Sequence, residues 1–136
     1  MSLGMQTTKT IWTNGCFDIL HRGHIELFKY AKSLGNYLVV GIDEDERVKQ
    51  SKGDSRPINT TSDRKAVLES IKYIDEVVTF SKDSELENCV LNSEASIMVI
   101  GSDYKGKRVI GAQYVDEVKF FNRLTDYSTT KIVENL

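Results

Sequence analysis

At 136 residues, 40% hydrophobic and 28% charged, the chain is long enough to bury the core of a single domain. A formal net charge of −2 with interspersed signs lacks the basic excess that nucleic-acid binding requires, no apolar run reaches the length of a membrane span or signal peptide, and two cysteines, Cys16 and Cys89, form neither a disulfide framework nor a zinc site. The expectation is a cytoplasmic protein without nucleic-acid or membrane partners, with a tail over 1–8, of which Met1 to Gly4 read as an expression-derived remnant, and one folded domain over 9–136.

Thr10-Ile11-Trp12-Thr13 is β-branched and aromatic, stops at Asn14-Gly15 and predicts a first strand. Leu27, Phe28, Ala31 and Leu34 then recur at helical spacing from a start near Arg22, with Gly35 just past the end. Tyr37 to Ile42 is a short, nearly continuous apolar run, as in a strand covered on both faces. The polar segment from Asp43 to Asn59, which holds the sole proline, Pro57, reads as a long functional loop.

Thr60 with Asp63 opens a helix whose predicted buried stripe is Val67, Leu68 and Ile71, and Glu76 to Phe80 is a third strand. Ser84 with Glu87 predicts a capping box for a helix whose apolar face is Leu86, Val90 and Leu91. Ile97 to Ile100 is a fourth strand ending at Gly101, Lys105 to Tyr114 a loop with a turn or two of helix, Val118 to Phe121 a fifth strand, and Ser128 opens a last helix running to Leu136. Alternating strands and helices predict an α/β fold, a Rossmann-like, doubly wound, parallel five-stranded sheet, with strands one and four adjacent at the switch point where such sheets bind ligands.

Both histidines fall at that point, in Gly15-Cys16-Phe17-Asp18-Ile19-Leu20-His21-Arg22-Gly23-His24. With His24 in the first turn of a helix, two imidazoles stand beside unpaired backbone N–H groups, a place to hold phosphate. Such donors suit displacement at the α-phosphate of a nucleoside triphosphate by another phosphate, which needs no protein nucleophile; by analogy with oxyanion holes each donor contributes roughly 3 kcal/mol. Gly23 lets backbone and phosphate approach closely. Further donors are Lys49 and Lys52 in the polar loop, Arg64 near a helix start, and Ser128-Thr129-Thr130 at the last helix, with Asp18 or Asp103 as ligands of a bridging Mg2+. Other readings stand beside these: a helix-start pair without ligand, a metal site of Cys16, Asp18, His21 and His24, lysines on a solvated face, and Ser128-Thr129-Thr130 as a plain helix cap. Cys16 reads as a packed residue rather than a nucleophile.

The stretch 15–24, together with Ser-Thr-Thr-Lys-Ile at 128–132, resembles the His-x-Gly-His signature of the cytidylyltransferase-like nucleotidyltransferases. Residues 52–59, 101–105 and 110–112 resemble the branch that joins AMP from ATP to heptose 1-phosphate, the adenylyltransferase domain of the bifunctional heptose kinase/adenylyltransferase. The resemblance implies catalytic roles for His21, His24, Lys52 and Arg64. It implies nucleotide contacts along Gly15, Cys16, Phe17, Asp18 and Gly23, at Lys49, at Gly101 and Asp103, and at Arg123, Ser128, Thr129 and Thr130. It also implies a Mg2+ requirement, ATP or CTP as substrate, a sugar or polyol phosphate as acceptor, and a homodimer. Ile100 stands where the heptose enzymes tend to carry Lys, and Arg123 stands where glycerol-3-phosphate cytidylyltransferases carry Arg, so that activity is the alternative. A non-catalytic nucleotide-binding regulatory module is the alternative of another class.

Overall fold

The fold is described from a computed structural model over residues 7–122. The predicted last helix and Arg123, Ser128, Thr129 and Thr130 lie outside the described residues. In chain order the elements are β1 (Thr10–Gly15), α1 (Arg22–Ser33), β2 (Tyr37–Asp43), α2 (Asp45–Lys52), α3 (Thr61–Glu69), β3 (Glu76–Phe80), α4 (Asp83–Ser93), β4 (Ile97–Gly101) and β5 (Glu117–Phe121), with short 3-10 turns at Ser102–Tyr104 and Ala112–Tyr114. The strands form one five-stranded sheet in the order β3-β2-β1-β4-β5, every pairing parallel. This is the doubly wound, Rossmann-like arrangement, with β1 and β4 adjacent as predicted.

Alternation along the strands builds a core on each face of the sheet. Ile11, Leu38, Val40, Ile42, Ile97 and Val99 pack with Phe28 and Ala31 of α1 and Leu68 of α3. Trp12, Val39, Met98 and Ile100 take the opposite face, with Phe80 and with Leu86 and Val90 of α4. Trp12 is fully buried and lies over Gly41, where an added Cβ would stand 2.6 Å from its ring and 3.0 Å from Phe80. Gly41→Ala is therefore expected to destabilise the domain by about 1–3 kcal/mol through overpacking, measured as a lower denaturant midpoint at unchanged slope; an unchanged midpoint would show that the ring can move aside.

Several local expectations are corrected. The polar segment after β2 is not all loop but contains α2. Its one buried residue is Val48, too little for an amphipathic stripe; Asp45 and Glu46 in its first turn and Lys49 and Lys52 in its last match the helix dipole instead. On α3, Val67 is exposed, and the buried face is Leu68 with Arg64. On α4, Leu91 is exposed, and the helix start is held by Glu85, whose carboxylate accepts the backbone N–H groups of Ser81 and Lys82 at 2.8 and 2.9 Å, rather than by Ser84 and Glu87. Those two bonds hold the Glu85 carboxyl below its ordinary value.

Candidate active site

The chain leaves β1 through Cys16 and turns at Phe17, whose backbone takes φ 49°, a left-handed conformation that is costly for a bulky residue and recurs at functional sites. The turn places the buried Phe17 ring edge-on to His24 at 5.4 Å and against Phe28 at 5.1 Å. His21 is the N-cap of α1, in extended conformation; its Nδ1 accepts the Gly23 N–H at 3.0 Å, while the His21 N–H donates to Nδ1 of His24 at 3.2 Å. The two histidines thus form a reciprocal capping box, the task usually given to Ser or Thr with Glu or Gln. An imidazole that accepts at Nδ1 carries its hydrogen, when neutral, on Nε2. Each ring is fixed through its Nδ1, which leaves Nε2 to carry the hydrogen of the neutral form; the Nε2 of His21 is buried, and the rings stack 3.9 Å apart.

One expectation changes with this geometry. The N–H of Gly23 is consumed by His21, and those of His24 and Ile25 reach the His21 carbonyl. The donors at this helix start are therefore imidazole edges more than bare backbone, although the helix dipole still favours an anion there.

Arg64 departs furthest from its expected role. It is 2% exposed, and all five of its N–H donors are used: Nε on the Asn59 carbonyl, one terminal nitrogen on the carbonyls of Cys16 and Asp43, the other on Asp45 Oδ1 and Thr61 Oγ1, at 2.7–3.2 Å. No donor remains for a phosphate, so Arg64 is a positioning residue beneath the site. Burial alone would raise the Asp45 carboxyl, but hydrogen bonds from Thr61 and Arg64 bring it below its ordinary value.

Asp18 is likewise committed. Its buried carboxylate accepts from the N–H groups of Ile58 and Asn59 at 2.7 and 2.8 Å and from Arg56 Nε at 3.2 Å, pinning the 56–59 segment to the motif. This corrects its assignment as a Mg2+ ligand. Asp43, beside the site, is held by Arg47 at 2.8 Å, and among the described residues no three His, Cys, Asp or Glu gather to hold a metal ion. The described residues do not fit a dedicated magnesium site.

Beyond the carboxyl ends of β1, β2 and β4 lies a cleft of about 630 Å³. It brings together Gly15, Cys16, Phe17, His21, Gly23, His24, Lys52 and Gly101 from the expected residues. Lys49 lies on the exposed side of α2, 3.7 Å from Glu46, and Asp103 on the exposed 3-10 turn after β4; neither lines the cleft. Burial pushes the Cys16 thiol up, against the pull of Lys52 and Arg64, which disfavours the thiolate. The sequence reading missed Arg47, Tyr104 and Arg108 on the polar side, and Leu86, Ile100, Val109 and Ile110, which give one wall an apolar surface. Ile110 was legible through the resemblance at 110–112, whereas Val109 fell in a segment read as a loop; Gly111, at φ 87° with Val90 2.7 Å from where a Cβ would be, seats them against α4.

The stacked histidine pair at the switch point thus shares its cleft with Lys52. Residues 12–135 match the family model described as cytidylyltransferase-like. The chain belongs to the cytidylyltransferase-like family. By that membership it is a nucleotidyltransferase. It is 44% identical over 126 residues to the bifunctional protein HldE of Campylobacter fetus subsp. fetus (strain 82-40), covering 93% of this chain and 27% of that protein. The chain thus spans about a quarter of the length of the curated relatives it matches. Among solved structures, the lipopolysaccharide core biosynthesis protein of Thermoplasma volcanium GSS1 shares the fold at a TM-score of 0.70 and 24% identity, covering 85% of this chain and 98% of that one. Thermotoga maritima TmcAL, bound with alpha-thio ATP, shares it at 0.66 and 10% identity, over 94% of this chain and 50% of that one.

As a cytidylyltransferase-like domain, the chain keeps its site on rigid elements. The first histidine is the cap of α1 and the second is its first turn, so neither imidazole can move without opening the helix start. No helix among the described residues is long and apolar enough to cross a membrane.

Proposed function

We propose that the chain transfers a nucleoside monophosphate from a nucleoside triphosphate to a sugar phosphate, with ATP as donor and a heptose 1-phosphate as acceptor. The observation that carries the reading is the histidine pair, each ring fixed by the main chain through its Nδ1 and both residues lining the cleft. An oxygen of the acceptor phosphate attacks the α-phosphorus, the bond from that phosphorus to the bridging oxygen of the β-phosphate breaks, and pyrophosphate leaves with that oxygen. No covalent intermediate on the protein is needed, in keeping with a half-buried Cys16 whose thiol is pushed up by desolvation. His21 and His24 donate to oxygens on which negative charge grows, and Lys52 adds a cation near them. Magnesium enters as part of the metal–nucleotide substrate. Gly101 lies along the cleft, and the segment 123–130, with Arg123, Ser128, Thr129 and Thr130, supplies the remaining phosphate donors in this reading.

The adenylyl donor and heptose acceptor rest on the resemblance at 52–59, 101–105 and 110–112 and on the bifunctional HldE relatives. One feature favours a second reading, CTP with glycerol 3-phosphate: Ile100, where a lysine would mark the heptose branch, is 6% exposed and part of the apolar core. A pyrophosphate-release assay crossing ATP and CTP against heptose 1-phosphate and glycerol 3-phosphate decides. Turnover with ATP and heptose 1-phosphate is expected; turnover only with CTP and glycerol 3-phosphate overturns the first reading. Lys52→Ala is expected to reduce turnover at least about tenfold, and an unchanged rate would return Lys52 to a solvated helix end. The same resemblance carries a homodimer, which light scattering of the purified protein tests.

A further inference from the structure

Among the described residues three Lys and Arg side chains line the cleft, and their commitments differ. Arg47 bonds Asp43 at 2.8 Å, Asp83 at 2.9 Å and the Ser81 carbonyl at 3.2 Å, and lies over the Phe80 ring at 5.3 Å. It ties α2 to the β3–α4 connection. Lys52 ends α2 near enough to Cys16 for its charge to act on the thiol, and so belongs with the histidines. Arg108 is unlike either. Its side chain is 84% exposed, and its ion pair is a 3.9 Å approach to Glu87 of α4. A pair that long and that exposed is easily exchanged for a better partner.

The backbone beneath Arg108 is firmly seated. Val109 and Ile110 pack on the core of Trp12, Phe80 and Leu86, and Gly111 is pressed against Val90. A lightly held guanidinium is thus presented at the cleft by an anchored segment. It comes from the β4–β5 connection, whereas His21 and His24 come from α1 and its cap and Lys52 from α2.

Nucleotidyl transfer brings two anions into one cleft, a triphosphate and an acceptor phosphate that carries about −1.5 to −2 charges near neutral pH. One set of cations cannot neutralise both. We propose that Arg108 is the specificity-determining residue for the acceptor: its guanidinium leaves Glu87 and takes the acceptor's phosphate as a bidentate pair, so that the enzyme selects dianionic phosphate monoesters. The planar fork of arginine matches two phosphate oxygens and leaves the third to attack. This inference rests on the nucleotidyl-transfer reading and adds the residue that recognises the second substrate.

The test is calorimetry on wild type, Arg108→Gln and Glu87→Gln, using α,β-methylene analogues of ATP and CTP with Mg2+, then inorganic phosphate titrated into each protein with and without analogue. Arg108→Gln should bind the preferred analogue as wild type does and inorganic phosphate about tenfold more weakly. Glu87→Gln, which frees the guanidinium, should bind phosphate more tightly than wild type, an effect that a merely structural Arg108 would not produce. Equal phosphate affinity in wild type and Arg108→Gln, no phosphate binding by wild type, or a loss confined to the nucleotide analogue would each overturn the assignment. Failure of the transfer reading looks different: wild type binds neither analogue, and the phosphate titration without analogue still reads Arg108.

Discussion

Replacing His24 by Gln and His21 by Asn should each slow pyrophosphate release about a hundred- to thousandfold, equivalent to about 3–4 kcal/mol, with nucleotide affinity changed only a few-fold. These substitutions are chosen because each histidine also holds the start of α1. Gln at the third helical position retains an acceptor for the His21 N–H, and Asn at the N-cap retains one for the Gly23 N–H. The helix start survives while the imidazole Nε2–H is replaced by a differently placed, weaker amide donor, so a rate effect is not a folding effect in disguise. The loss should fall on turnover because charge on the α-phosphate oxygens grows toward the transition state, and a fixed donor gains most there. Initial rates at saturating nucleotide, set beside calorimetric affinities of the same variants, separate the two contributions. Equal losses in rate and in nucleotide affinity would mean that the imidazoles only hold ground-state phosphate.

Arg64→Met, close in volume but without donors, should destabilise the domain by about 3–5 kcal/mol, because it strands the carbonyls of Cys16, Asp43 and Asn59 and leaves Asp45 without its cation. Arg64→Lys keeps the charge but only part of the donor geometry, and should fall between wild type and Met in thermal midpoint. Turnover measured well below each variant's midpoint should change far less than for the histidine variants, since Arg64 has no donor left for phosphate. A lysine variant with wild-type stability and a hundredfold lower rate would restore Arg64 to direct catalysis. Chemical denaturation with paired initial rates distinguishes these outcomes.

The contrast between these two positions marks what one chain reveals on its own. His21 and His24 were legible because three residues separate them at the junction of a strand and a helix, and that spacing sets two side chains side by side whatever else the chain does. Their mutual capping was not legible, since histidine is not a usual N-cap and the bond depends on the extended backbone at His21. Helix α2 escaped notice because the cue for a helix is a repeated apolar stripe, and Val48 alone does not repeat. Arg108, in the segment hardest to read, has no local signal that distinguishes it from Lys105 or Lys107 on the surface.

Local pattern by itself determined the strands, three of the helices, the adjacency of β1 and β4, and the placing of the histidine motif at the switch point, because side-chain periodicity and the winding of a parallel sheet act over short stretches of sequence. Tertiary structure alone decided which charged residues face the cleft. Arg64 looked like a phosphate donor until Cys16, Asp43, Asp45, Asn59 and Thr61 closed around it. Asp18 looked like a metal ligand until the 56–59 backbone returned to it. A buried charge is drawn to whatever hydrogen-bonding groups folding places within reach, and those groups come from parts of the chain that no local window contains.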